Sequence, residues 1–196
     1  EGGEIRGRFS IIGLAPDLVW RCRGSVAEIN RDPAGTGSFV TDDRAPIESL
    51  RALMAESAMA DTGVLPPMAA GLFGYFGYDM IRHIEDIPDA NPTVIDTPDS
   101  MLVRPSLIAI FDRLKDSITL VVQVRPAEWN DAAAAWNVAQ SRISNALNAL
   151  DAPMPATEAG GAQAVLPTPQ SNIREEDFLS MVDTAKDHIR AGDIFQ

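Results

Sequence analysis

An α+β fold, with helices packed on a mostly antiparallel sheet, is what this sequence predicts. Three observations carry that reading. Residues 106–111 and 117–124 are strand-like runs rich in Ile, Leu and Val, and the polar stretch Asp112-Arg113-Leu114-Lys115-Asp116 joins them as a hairpin loop would. Apolar residues recur at helical spacing in 45–58, in 131–150 and after residue 171. The elements follow the order strands, helix, strands, helix, linker, helix, and that grouping is typical of α+β proteins.

The elements follow from local chemistry. Residues 8–14, 18–23 and 26–30 read as three strands, with a turn at Pro16-Asp17 between the first two. The cluster Asp32-Pro33-Ala34-Gly35-Thr36-Gly37 is a loop. A helix is predicted over 45–58, because Pro46 suits a first turn and Ile47, Leu50, Leu53 and Met54 make one apolar face. After the break at Leu65-Pro66-Pro67, the run Gly71-Leu72-Phe73-Gly74-Tyr75-Phe76-Gly77-Tyr78-Asp79 reads as a strand whose glycines allow close backbone approach. A short helical turn through Ile81-Arg82 follows it. Residues 86–100 carry Pro88, Pro92 and Pro98 and read as irregular. In 131–150, Trp136, Ala139, Ile143, Leu147 and Leu150 define a helix face. Residues 151–170 are rich in Pro, Ala and Gly and form the best boundary. A last helix starts from a capping box of Asn172 with Glu175. It carries Phe178, Met181, Val182, Ala185 and Ile189 on one face and stops at Gly192. The expected organisation is therefore a first region over 1–150, a linker over 151–171 and the start of a further domain over 172–196. Opening on Glu1-Gly2-Gly3-Glu4 without Met and closing on an apolar run at Ile194-Phe195-Gln196, the chain reads as an internal piece of a larger protein.

Bulk composition excludes several classes. The 196 residues are 45% hydrophobic and 22% charged, enough apolar material for a sizeable core. The net charge of −12 argues against nucleic acid or an anionic membrane as partner, since phosphate binding needs a basic stripe. One cysteine, Cys22, rules out an internal disulfide and a Cys-based zinc site. It sits in an apolar stretch and reads as a buried thiol in a reducing, cytoplasmic setting. No stretch has the length of a membrane span.

Chemistry-bearing residues are sparse. Gly71, Gly74 and Gly77 are not spaced as a phosphate loop, and aromatics fill the gaps. His83 and His188 have no His or Cys partner at ligand spacing and read as surface or interface residues. Asp79, Glu85, Asp86, Asp89 and Asp96 are dense, but prolines interrupt them and EF-hand spacing is absent, so a solvated acidic loop is favoured. Residues Arg6, Arg8 and Ser10 share one side of an extended strand. Such a face is either ordinary solvent-facing polarity or a cradle for a small carboxylate.

The stretches E-G-G-E-I-R-G-R-F-S-I-I-G, G-L-F-G-Y-F-G-Y-D-M-I-R-H-I-E, P-D-S-M-L-V-R-P-S-L-I-A-I-F-D and D-H-I-R-A-G-D-I-F-Q together resemble the large subunit (component I) of anthranilate synthase. They span the whole chain in the family's order. The resemblance implies an enzyme of tryptophan synthesis that converts chorismate and ammonia to anthranilate and pyruvate with Mg2+. The ammonia comes from glutamine through a partner amidotransferase subunit, component II. It further implies that this chain is the N-terminal region and only the beginning of the chorismate-binding domain, without catalysis of its own. The metal and catalytic residues would lie outside it. Tryptophan feedback in the family acts at the N-terminal sheet, on a strand that Arg8-Phe9-Ser10-Ile11 resembles, so Arg8 and Ser10 are implied as effector-site residues. Gln196 resembles the Gln that opens the first active-site strand, where isochorismate-forming relatives carry Lys. A neutral amide there cannot be the general base that activates water. Two alternatives stand beside this reading: aminodeoxychorismate synthase of the folate branch, and a non-catalytic effector-binding or subunit-docking module.

Overall fold

The computed structural model describes residues 7–59, 63, 65–89, 95–125, 129, 131–154 and 168–196. Strands β1 (Phe9–Arg23), β2 (Val26–Asn30) and β3 (Val40–Asp42) precede helix α1 (Pro46–Ser57). Strand β4 (Phe73–Phe76) and a 3₁₀ helix (Tyr78–His83) follow. Then come β5 (Ser100–Asp112), β6 (Ser117–Val122), α2 (Ala132–Asp151) and α3 (Glu175–Ala191). The chain divides into two compact units, Glu1–Ala152 and Pro153–Gln196.

All strand pairs in the first unit are antiparallel, in the order β3-β2-β1-β5-β4, with β6 also on β5. The predicted α+β class is what the structure shows. β5 is the spine. β1 pairs along nearly all of one edge, while β4 takes Ser100–Val103 and β6 takes Leu107–Asp112 on the other. Gly74 permits that contact, because a Cβ there would collide with the backbone of Met101 and Leu102.

One local expectation is overturned. Pro16-Asp17 is not a turn between two strands; β1 continues through it. Pro16 pairs with Pro105 and Leu18 with Arg104, so β1 takes two steps where β5 takes one, and Asp17 is the extra residue of a bulge. Ala15, just before it, has a φ of 46°. Two prolines face each other where neither has an N–H to give, so the ladder loses little by kinking there. Because side chains alternate along a strand, the extra residue flips the inward parity. Phe9 and Ile11 pack inward before the bulge, and Leu18, Trp20 and Cys22 after it.

Two apolar clusters result. One joins Leu18, Trp20 and Cys22 to Ala27, Leu50, Leu53, Met80 and Leu102, so α1 covers the inner half of β1. Trp20 is fully buried, and its indole N–H donates to Ser49 Oγ at 3.0 Å. The other joins Ile108, Ile110, Val121 and Ala69, with Phe9, Ile11, Leu65 and Phe73 against it. Asp131 caps α2 by accepting from the amides of Ala133 and Ala134 at 3.0 and 3.3 Å.

In the second unit, α3 starts later than a capping box at Asn172 would place it. Its N-cap is Arg174, with no side-chain cap. Ser171 spends its hydroxyl on a local turn with Ile173, and Glu175, Glu176 and Asp177 supply negative charge to the first turn instead. Gly192 ends the helix as expected, at φ 83°, with its amide reaching Ile189 O and that of Asp193 reaching His188 O. Residues 155–167, most of the predicted linker, lie outside the described residues.

Candidate functional site

The outer half of β1, before the bulge, carries both residues of the effector expectation. It pairs with β5 on one edge, and no described strand lies on the other. Ser10 is exposed and sits opposite Phe111; Ile12 and Leu14, two and four residues on, share its face. Those two residues line a cleft of about 680 Å³, together with Leu107, Phe111, Leu120 and Arg142. The sheet side of the cleft is mainly apolar, with Asp17 and Ser106 also in its wall; Arg142 on α2 and Arg31 and Asp32 after β2 bring further charge to it.

Arg8 does not join Ser10 there. Its Nε and Nη2 donate to the two carboxylate oxygens of Asp112 at 2.8 and 2.6 Å, and its guanidinium lies 4.8 Å from the centre of the Phe9 ring. Phe9 and Asp112 are opposite each other in the ladder, on the face away from Ser10. The guanidinium therefore holds the Asp112 carboxyl down at about 2, and the backbone amides of Lys115 and Leu114 add to that. Arg6, the third member of the predicted polar face, lies outside the described residues.

A second polar network was not anticipated from sequence. Arg104, at 3% side-chain exposure, donates from Nε to Asp17 at 2.8 Å and from Nη1 to Glu56 at 2.9 Å and Ser57 at 3.3 Å. Arg125 also reaches Asp17, and Arg31 grips Glu56 with two bonds of 2.8 Å. The network ties the bulge to β5 and to the C-terminal end of α1. Glu56 is pulled to about 2, chiefly by its hydrogen bond to Arg31, against the opposing cost of burial, with Arg104 adding to it. The missed signal was Arg104-Pro105 inside an otherwise apolar run, together with Pro16-Asp17 in another: a charge and a proline in each, at positions that turn out to face one another.

The remaining chemistry-bearing residues are accounted for locally. Cys22 is fully buried, its thiol pushed up to about 11 by burial and by Asp99; Sγ donates to Gly24 O, and His83 Nε2 is 3.6 Å away. In the acidic segment, Asp79 and Asp89 pair with Arg82, and Asp96 with Arg23. Among the described residues, no group of three or more His, Cys, Asp or Glu is placed to hold a metal ion. His188 is exposed and bonds Asp193 at 2.9 Å. Gln196 is exposed in the second unit, and residues 194–196 are irregular where a strand was expected to begin. A strand needs a ladder partner, and the described residues of that unit contain none. No helix among the described residues is long and apolar enough to cross a membrane.

A model of the chorismate-binding enzyme family matches residues 14–196. The anthranilate synthase component 1 of Cereibacter sphaeroides is 44% identical over 196 residues, covering 100% of this chain and 39% of the relative. That of Pseudomonas putida is 32% identical over 201 residues, again across 100% of this chain and 40% of the relative. The crystal structure of anthranilate synthase component I from Streptococcus pneumoniae superposes with a TM-score of 0.70 at 25% identity, over 96% of this chain and 40% of that one. This chain thus spans about two fifths of the length of the curated relatives it matches. By the match over residues 14–196, it belongs to the chorismate-binding enzyme family.

Proposed function

We propose that this chain is the N-terminal part of an anthranilate synthase component I, a cytoplasmic lyase that forms anthranilate and pyruvate from chorismate and ammonia. The observation that carries this is the 44% identity to a component 1 over all 196 residues. In this reading, residues 1–150 are the N-terminal α+β region, 151–171 a linker, and 172–196 the entry to the chorismate-binding domain. Gln196 opens that domain's first active-site strand. Mg2+, the chorismate ligands and the contact with a glutamine amidotransferase subunit belong to the whole enzyme, and the chain alone is inactive.

The outer half of β1, the strand region that carries Arg8 and Ser10, then serves as part of a tryptophan effector site, with Ser10 on the side of the cleft. Three features support that role: a strand edge with no partner among the described residues, an exposed hydroxyl at Ser10, and a mainly apolar cleft on the same face with Arg142 at its side. An aromatic amino acid needs that combination of apolar surface, hydrogen bonding and positive charge.

The test compares the chain alone with the full-length enzyme, each given chorismate, Mg2+ and ammonium, with anthranilate fluorescence as readout. Product from the full-length enzyme only is the expected result. Turnover by the chain alone at a comparable rate would leave the module without its supporting role, and no anthranilate from either would remove the enzyme assignment.

A further inference from the structure

Arg8 and Ser10 were paired by spacing, yet the structure sends them to different faces. Both inner donors of the Arg8 guanidinium are spent on Asp112, whose side chain is only 8% exposed. Asp112 is itself immobilised, since Oδ1 also accepts from the amides of Leu114 and Lys115 at 3.1 and 3.3 Å. The backbone closes the same link: the amide of Arg113 donates to Arg8 O at 3.0 Å. All of this sits at the last rung of the β1–β5 ladder, where Phe9 faces Asp112. Ser10 is the next rung in, on the cleft side.

We propose that Arg8 and Asp112 form a clasp that fixes the end of the strand carrying Ser10, so that both act on effector binding as positioning residues and Arg8 is not a ligand. The proposal rests on the effector reading of β1 given above. The physical reason is that a strand pair frays from the end of its ladder. A charge-assisted, two-point bond at the terminal rung suppresses that fraying more effectively than neutral contacts do. With the clasp closed, the Ser10 hydroxyl is held at one place beside the cleft; with it open, the effector must order the strand as it binds.

The experiment uses the full-length enzyme and tryptophan itself. For S10A, R8Q, D112N, the double variant R8Q with D112N, and the reversed pair Arg8→Asp with Asp112→Arg, the tryptophan concentration giving half-inhibition is read against each variant's own uninhibited rate. R8Q and D112N are each expected to raise it by roughly tenfold, in the range of ordinary coupling between sites. The double variant should do no worse than either single one, because both remove one interaction. The reversed pair restores the ion pair but gives up the bonds from Leu114 and Lys115 to Asp112, so it should recover part of the loss relative to the double variant, which a ligand arginine moved to position 112 would not do. If R8Q and S10A raise the value while D112N does not, Arg8 is a ligand and the clasp is overturned, with the effector strand left standing. If S10A and R8Q both inhibit like the parent, the effector reading falls and takes the clasp with it. Should D112N not fold, D112E, which keeps the charge but displaces the carboxylate from Arg8, takes its place: a raised value supports the clasp and an unchanged one overturns it.

Discussion

The two halves of β1 share one strand and meet different surroundings. After the bulge, the inward-facing Leu18, Trp20 and Cys22 are fully buried; before it, the inward-facing Phe9 and Ile11 are only partly buried, and Ile12 and Leu14 on the other face stay nearly half exposed at 49% and 44%. The inner half has β2 on one edge, β5 on the other and α1 across its face. The outer half has β5 alone beside it among the described residues. Equal hydrophobicity therefore does not give equal stability. What counts is how many neighbours exclude water from each residue. A segment that responds to a small molecule belongs on the weakly held half, because little free energy is needed to change its order.

That contrast can be broken by substitution. Trp20→Ala should cost the most, about 3–5 kcal/mol, from lost burial, a cavity and the lost bond to Ser49. A lowered urea midpoint at unchanged slope is the check. Asp17→Ala at the bulge should cost about 2 kcal/mol, since Arg104 keeps Glu56 and Ser57 but loses one charged partner in a buried site. A cost near that of Trp20→Ala would make the bulge network, and not the core, the main support of the inner half.

Glu56 gives a pH-dependent version. Its folded pKa of about 2 lies below its ordinary 4.5, so the stability it contributes is present above pH 4.5 and is lost as pH falls through 2. Between those limits, thermal melting of Glu56→Gln should fall less steeply with acid than that of the parent. Because the Glu56 side chain is 38% exposed, solvent screens the pair, and the difference should be smaller than the effect of Asp17→Ala. An identical acid limb in both proteins would mean that the salt bridge to Arg31 does not persist in solution. Last, Ile12→Thr on the outer half should change stability by no more than about 0.5 kcal/mol. A loss of several kcal/mol there would show that the outer half is covered as well as the inner one.

Much of the fold was legible because its signals are local. Pro46 and the apolar face of Leu50 and Leu53 announce α1, and the observed helix spans Pro46–Ser57. Asp131 at the start of α2 and Gly192 after α3 act where end-chemistry predicts. Three features were not legible. The proline pair at the bulge looked like a turn, because nothing local shows that Pro105 sits opposite Pro16. Arg104 looked like an interruption in an apolar run, because its partners Asp17 and Glu56 are 87 and 48 residues away. Arg8 and Ser10 looked like one polar face, because strand alternation describes Cβ directions and not where a long guanidinium chain finally bonds.

By itself, the sequence determined the α+β class, the helix ends other than the start of α3, the single buried thiol and the resemblance to a chorismate enzyme's large subunit. Each depends on residues within a few positions of one another or on a linear order of motifs. Only the tertiary structure decided that β1 runs unbroken through Asp17, that its two halves differ in cover, and that Arg8 is held by Asp112. Those outcomes depend on pairing across the sheet, where residues about a hundred positions apart become neighbours and a one-residue shift reverses which face is buried.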